Sequence, residues 1–436
     1  MIDVAHLSRT ESDRASGWPL ATRIAFRFGC AYLALGLLQV LLFAVPGLSW
    51  LGEWERRGWM AVAAWTARHV LRIATDLDFH SLGTGSGDTM IAYVMALCTL
   101  SFATVMATVW SVADRQRRAY PVLLQWLRVG VRYSLAWSML GYGMAKVFQG
   151  QFYFPSLDQL LEPYEQSSPM GLLWMFMGYS RPYTFFCGAI ESIGGLLLFW
   201  RRTTTLGALI AAAGMTNVVM LNFSYDVPVK LNSSHLLLMA VFLLLPDLRR
   251  LARMFILNRP IDPTPLGTPF STVWRNRAAL VLKVIVIGGT LWDATSPQIQ
   301  AMREPLPPKP ALYGIYDVDS FTLNGEARPP VAMDGKRWRR VIINEYGEIS
   351  VQTMDEAMIR FRVREVDAKK TFELSTNFNP FEKVVLTYRQ PDPNQLVLEG
   401  NYYGEAVNVL LRKVPPPPFL LRDRGFHWIS EFPYNR

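Results

Sequence analysis

Residues 222–247 read NFSYDVPVKLNSSHLLLMAVFLLLPD, and the way this stretch is read decides the fold. Its first half is polar, with Asn222, Asp226, Lys230, Asn232 and His235. Its second half is apolar up to Asp247, and the uncharged run after Lys230 is only 16 residues long. A bilayer core about 30 Å thick takes about 20 residues of helix. Some of these polar groups must therefore lie at membrane depth, where each costs several kcal/mol unless it faces a protein interior. Upstream, the same pattern recurs: Arg132, Tyr142, Lys146, Glu191 and Asn217 interrupt otherwise apolar stretches.

Composition agrees with a membrane reading. The 436 residues are 51% hydrophobic and 18% charged, against about 25% charged in an average soluble domain. Phe28–Trp50, Met90–Ala113 and Thr203–Tyr225 are uncharged and long enough to span. Seven spans are expected, at roughly 24–50, 90–113, 120–148, 182–200, 203–224, 230–247 and 277–294, the fourth and sixth being the weakest. Arg9, Arg14, Arg23, Arg27, Arg115–Arg118, Arg201–Arg202 and Arg249–Arg277 fall on one side of that arrangement. By the positive-inside rule that side is cytoplasmic. The expected location is the inner membrane, multi-pass, with residues 1–23 a cytoplasmic tail and the C-terminal region periplasmic or extracellular. The first 20 residues show no cleavable signal peptide. The net charge of +9 is spread over membrane boundaries and gives no nucleic-acid signal. Cys30, Cys98 and Cys187 lack CxxC spacing, and neither a disulfide framework nor a thiol redox pair is indicated.

Two outer connections read as surface helices. Trp54–Ile73 mixes tryptophans and aliphatics with arginines. Ser168–Tyr179 opens on Ser-Pro, a good cap and first turn, but is too short to span; it is expected to be interfacial or re-entrant and to cover the mouth of the bundle.

The transmembrane region should occupy 24–300, followed by a Pro-rich linker at 301–309. From there the period changes to two. In Met358–Arg364, Ile359, Phe361 and Val363 alternate with arginines. Similar runs occur at Leu312–Leu323, Trp338–Asn344, Ile349–Met354, Thr371–Ser375, Lys383–Tyr388, Gln395–Glu399 and Ala406–Arg412. Turn residues separate them at Glu345–Gly347, Val366–Ala368, Asn377–Pro380, Pro391–Asn394 and Gly400–Gly404. Eight such strands predict an antiparallel up-and-down barrel or sandwich at 310–414, able to fold independently and, as a barrel, to hold one small ligand. Arg337, Arg339, Arg340 and Arg360–Arg364 should form its solvated face. The 415–436 tail, with His427, Trp428, Phe432 and Tyr434, should dock on the barrel or the bilayer.

Each polar residue has an ordinary alternative to a functional role. Lys146 could snorkel to the interface, Arg132 could pair with Glu191, and His235 could be a hydrogen-bonded structural residue. Tyr142 and Lys146, one turn apart, share a helix face. No HxxxH or Cys/His cluster points to a metal, and no P-loop, GxGxxG, GxSxG or HExxH pattern points to a nucleotide or a common hydrolase.

GYGMAKVFQGQFYFP (Gly141–Pro155), GAIESIGGLLLFWRR around Glu191, SYDVPVKLNSSHLLLMAVFLLLPD, and the tail RGFHWISEFPYNR together resemble the DoxX-like membrane family in a long form with a C-terminal β domain. The resemblance implies a four-helix core at about 120–247. It implies kinship with thiosulfate:quinone oxidoreductase subunits and, more remotely, with vitamin K-dependent carboxylase-like proteins, in which a lysine serves as the base for a hydroquinone. Lys146 matches that lysine. The chain departs from the family in its extra spans and in lacking an obvious second redox centre. The expected function is a quinone-linked oxidoreductase component: a quinone or other isoprenoid lipid in the bundle, with Lys146, Glu191 and His235 catalytic and Arg132, Tyr142, Asn222, Asp226 and Lys230 binding it. The alternative is a non-catalytic scaffold or lipid-binding module whose external β domain recruits a protein partner or ligand. Partners would then be membrane lipids and a lipid-soluble small molecule.

Overall fold

The computed structural model describes residues 17–44, 47–73, 85–261, 270–304, 309–345, 347–366, 370–376 and 383–434. The N-terminal arginines Arg9 and Arg14, residues 305–308 of the Pro-rich linker and the turn at Asn377–Pro380 lie outside the described residues, while 301–303 of the expected linker continue the last long helix. In chain order the helices are α1 (Leu20–Ala44), α2 (Ser49–His69), α3 (Met90–Ala113), α4 (Pro121–Val147), α5 (Leu157–Leu161) and α6 (Pro169–Tyr179). They continue with α7 (Arg181–Leu198), α8 (Thr204–Ser224), α9 (Lys230–Leu244), α10 (Leu248–Phe255), α11 (Val273–Arg303) and α12 (Leu420–Asp423). The chain divides into two compact units, residues 1–150 with 185–299, and residues 151–184 with 300–436.

The first unit is helical. Its core is built from α4 (Val131, Leu135, Ala136, Met139, Leu140), α8 (Ala208, Ala211, Met215) and α9 (Leu236, Met239, Ala240, Leu243), with Phe26, Cys30 and Leu33 of α1. Among the described residues, five helices or helix pairs are long and apolar enough to cross a membrane: Leu20–Phe43, Met90–Ala113, Thr204–Ser224, Lys230–Phe255 and Val273–Arg303. Their outer surfaces are apolar: on α11, Leu280 is 61% and Ile285 63% exposed. Water would not tolerate such a surface, whereas lipid favours it, and the protein is a multi-pass membrane protein. The other two expected spans, α4 and α7, fall short by composition. They carry Arg128, Arg132, Lys146 and Glu191, so the very charges that mark the site lower their hydropathy. The sixth span qualifies because α9 runs on through α10. Helix α2 packs Ala63 and Ala67 against Ile91, Val94 and Cys98 of α3.

The second unit is a closed antiparallel β-barrel. Strands β1 (Gly314–Leu323), β3 (Trp338–Ile343), β4 (Glu348–Thr353), β5 (Met358–Val366), β6 (Thr371–Ser375), β7 (Lys383–Asp392), β8 (Gln395–Tyr402) and β9 (Glu405–Val414) pair in that order. The sheet closes where β1 pairs β9, from Ile315↔Val414 to Leu323↔Val407. β2 (Glu326–Ala327) only extends the β1 hairpin, whose turn puts Asn324 and Gly325 at φ 52° and 84°, as a type I′ turn requires. Alternate residues point inward: Phe361, Leu386, Val409 and Leu411 are buried, and Trp338 stacks edge-on to Tyr402 at 5.1 Å.

Residues 151–184, expected within the transmembrane domain, group with the barrel and form a strap over its outer face. Leu157 meets Ile315, Ile342 and Phe419, so the C-terminal tail docks through Phe419, whereas Trp428 and Phe432 are exposed. Asp158, 1% exposed, accepts hydrogen bonds from Ser156 Oγ at 2.5 Å, Arg360 Nε at 2.6 Å and Asn344 Nδ2 at 2.8 Å. Arg360 also pairs with Glu162 at 3.1 Å. The arginine face is therefore not wholly solvated, contrary to the alternation argument. Arg360 serves the strap, and Arg337 is buried, donating to the carbonyls of Arg328 and Trp338. Ser168 caps α6 by accepting from the Gly171 amide at 3.0 Å, which is the role its Ser-Pro opening predicts.

Candidate functional site

Gly143 of GYGMAK and the glycines of GAIESIGG have a steric purpose. Where α4 crosses α7, a Cβ on Gly188 would lie 2.5 Å from the Gly143 carbonyl oxygen and 2.7 Å from Lys146 Cβ. A Cβ on Gly143 would collide with Ser192 Oγ. One turn on, Gly195 backs onto Ala136 and Met139, and Gly207 of α8 meets the Gly194 carbonyl at the same close range. Small residues let helix backbones approach closely where the hydrophobic effect supplies no drive between helices.

That close crossing sets Lys146 against Glu191. Their Nζ and Oε2 atoms are 2.7 Å apart, and the two residues are 7% and 5% exposed. The lysine is therefore paired inside the bundle, not snorkelling. Its ammonium also lies 5.8 Å from the centroid of the Tyr142 ring, and the Tyr142 hydroxyl accepts from Asn232 Nδ2 at 2.8 Å. The Tyr142 ring is 43% exposed on the bundle surface. Ser192 Oγ, next in sequence to Glu191 and lying over Gly143, is buried and has no hydrogen-bond partner among the described residues.

Most of the other expected residues serve other contacts. Arg132 does not pair with Glu191. Its guanidinium donates to Thr204 Oγ1 at 3.3 Å and lies over the Tyr133 ring, while its Nε has no partner among the described residues. The reason is placement: Lys146 sits at the Gly143–Gly188 crossing and reaches Glu191 first. His235 Nδ1 is 3.1 Å from the Tyr32 hydroxyl of α1. Asn222 donates to Ser233 Oγ at 3.0 Å, tying α8 to α9. Lys230 pairs with Asp226 at 2.8 Å and Asp88 at 3.7 Å.

Two residues carry more than the sequence reading gave them. Asp88, two residues before the start of α3, accepts from the Lys230 and Leu231 amides at 2.8 and 3.0 Å. It thus caps α9 from a distant part of the chain, where free amides and the helix dipole favour a carboxylate. Arg27, counted only as a flanking charge, is 1% exposed. It donates to the Tyr120 hydroxyl at 3.0 and 2.8 Å and to the Asp114 carbonyl at 2.7 Å, and Tyr120 donates onward to Asp114 Oδ2. The FRFG context held no signal for Arg27, since its partners are almost 90 residues away; the DRQRRAYP stretch that ends the loop supplies them.

The two best-formed hollows among the described residues both belong to the β unit, at one barrel mouth and beside β5 and β6. Neither lies between α4 and α7.

No family model matches the chain, and no solved structure matches it. The chain is 35% identical over 133 residues to the uncharacterized protein YwoB of Bacillus subtilis (strain 168), a match covering 30% of this chain and 82% of that protein. Identity at that level over most of the relative's length places this chain, through that region, in the YwoB family.

Proposed function

We propose that this is a DoxX-like inner-membrane protein whose bundle binds a quinone or other isoprenoid lipid beside Lys146 and Glu191. The observation that carries this reading is the buried 2.7 Å ion pair at a glycine-lined helix crossing. Taking two charges out of water costs several kcal/mol per ion, and apolar residues of similar volume are often no less stabilising. An intramembrane pair is therefore a functional-site hypothesis first. A carboxyl and an amine at this distance can hold one proton between them, at Lys146 Nζ or at Glu191 Oε2. Ser192 Oγ, buried and unpartnered, fits a carbonyl oxygen. When bound, a quinone supplies two-electron redox chemistry. Lys146 and Glu191 supply the proton at a fixed place, and Tyr142 with Asn232 orients the lysine side of the pair. His235, bonded to Tyr32, has a positioning role between α9 and α1 in this reading.

The second reading is a scaffold or lipid-binding module without catalysis. It draws on the dispersal of Arg132, His235 and Lys230 into separate contacts with Thr204, Tyr32 and Asp226. The orientation proposed is N-terminus cytoplasmic and barrel outside.

The test is the double variant Lys146→Met/Glu191→Leu. Removing one partner alone strands a buried charge, whereas replacing both keeps an apolar crossing. The reading expects the double variant to fold in the membrane and lose co-purifying quinone, measured by extraction and mass spectrometry. Wild-type quinone content in a folded double variant would leave the scaffold reading.

A further inference from the structure

One end of the barrel is not filled. Its interior is packed by Tyr316, Phe321, Trp338 and Phe361, and the Tyr316 hydroxyl is spent on the Leu312 carbonyl at 2.8 Å. Beyond that level a hollow of about 250 Å³ opens between the ends of β3, β5 and β7 and the starts of β4 and β6. Its walls are Leu312, Ile343, Ile349, Val363, Phe372 and Tyr388. Phe372 stacks on Tyr388 with ring centroids 4.5 Å apart, giving one flat wall. Four of the wall residues, Leu312, Ile343, Ile349 and Phe372, are nine-tenths or more buried, so the hollow is framed by the rigid core of the barrel.

The rim is different in chemistry. Lys370, Glu348 and Gln390 line it. Lysines and arginines around the rest of the barrel are mostly paired: Lys309 with Glu345, Lys336 with Glu405, Arg340 with Asp317, Lys383 with Glu373, Arg412 with Asp319. Lys370 makes no ion pair among the described residues.

We propose that the barrel mouth is a binding site for a single-chain acyl carboxylate, its chain in the apolar hollow and its carboxylate on Lys370. Apolar walls with one or two placed polar groups are the usual form of a small-molecule site, and barrel mouths are one of its usual places. The volume admits the end of one chain and excludes a two-chain lipid. An acidic head is favoured over a neutral one because the rim offers an ammonium with no ion pair among the described residues, and a charge-assisted contact is stronger than a neutral one.

The experiment uses the full-length protein in detergent and the probe 11-dansylaminoundecanoate, read by fluorescence enhancement. Val363→Trp fills the hollow, and Lys370→Glu reverses the rim charge; both leave Lys146 and Glu191 untouched. The expected result is loss of saturable binding in Val363→Trp and at least about tenfold weaker binding in Lys370→Glu. The uncharged undecanol should compete poorly, and decanoate well. Melting of the β unit, followed by circular dichroism, checks that both variants fold, and Lys370→Ala provides a surface change that no packing fault can mimic. Equal probe affinity in wild type, Lys370→Glu and Lys370→Ala overturns the proposal, as does competition by undecanol equal to that by decanoate. Binding that survives Val363→Trp places the probe among the membrane helices and equally overturns it.

Discussion

Asp158 and Arg360 are 202 residues apart in sequence and 2.6 Å apart in space. The contact binds the strap between α4 and α7 to the fourth strand of the closed barrel, and Glu162 and Asn344 complete it. Asp158→Asn should destabilise the β unit by about 1–3 kcal/mol, near the lower end because Arg360 is partly solvated. Thermal melting of the full-length protein, monitored by near-ultraviolet circular dichroism, checks this; an unchanged melting profile would show that the clamp is decorative.

The same carboxylate sets a pH dependence. Burial pushes the Asp158 carboxyl up, but the hydrogen bonds from Ser156, Arg360 and Asn344 outweigh it and hold the group below its ordinary value. A depressed folded pKa contributes stability above the unfolded value, about 3.9, and loses it as pH falls through the folded one. The wild-type β unit should therefore lose stability below about pH 4, and Asp158→Asn should flatten that part of the profile. Parallel acid titrations of the two proteins decide the point.

A further consequence concerns topology. Strap and barrel touch, so in the proposed topology they share one side of the membrane, with α7, α8, α9 and α11 crossing between them. Reporters that work only outside the cytoplasm, placed in the strap near Tyr164 and after Arg436, should both be active. Activity at one position alone is incompatible with the strap–barrel contact.

Tyr402 gives an independent probe of the barrel interior. Burial, with Tyr403 adding to it, pushes its hydroxyl up to about 12. Because the folded value lies above the unfolded one near 10, the contribution is complete below pH 10 and lost as pH rises toward 12. Burial pushes the Tyr316 hydroxyl up as well, so ultraviolet titration at 295 nm should show a late tyrosine phase that Tyr402→Phe diminishes. Titration of every tyrosine by about pH 10.5 would mean that the barrel is not closed around it.

The isolated segment 308–436 offers a last check. Without the strap it exposes Ile315 and Ile342 and leaves Arg360 unpaired. It should melt at lower temperature than the same barrel supplied with a peptide covering residues 151–184, and the peptide should bind it. Indifference to the peptide would show that strap and barrel do not depend on each other.

How far the sequence could be read follows from the range of each interaction. The eight strands were legible because a period of two is local: Ile359, Phe361 and Val363 declare their face without knowing their partners. The Ser168 cap was legible for the same reason. The partner of Glu191 was not, because two cations, Arg132 and Lys146, share a helix. The choice between them depends on where Gly143 and Gly188 let the backbones touch. Asp88 was missed because its partners, the amides of Lys230 and Leu231, carry no side-chain signal at all. Likewise Arg337 and Arg360 look alike in alternation but end in different surroundings, one under backbone carbonyls and one under the strap.

The strap has a consequence for biogenesis. Ribosomes deliver Asp158 long before Arg360, and at about 5–20 residues per second the interval is roughly 10–40 s. During that time the strap stands with Leu157 bare and its acid unanswered, and the barrel cannot close until β9, the last strand, has arrived to meet β1. A newly made chain therefore passes through a stage that offers an apolar, acidic segment to any chaperone within reach. Truncation anywhere before Val414 would leave it in that stage permanently.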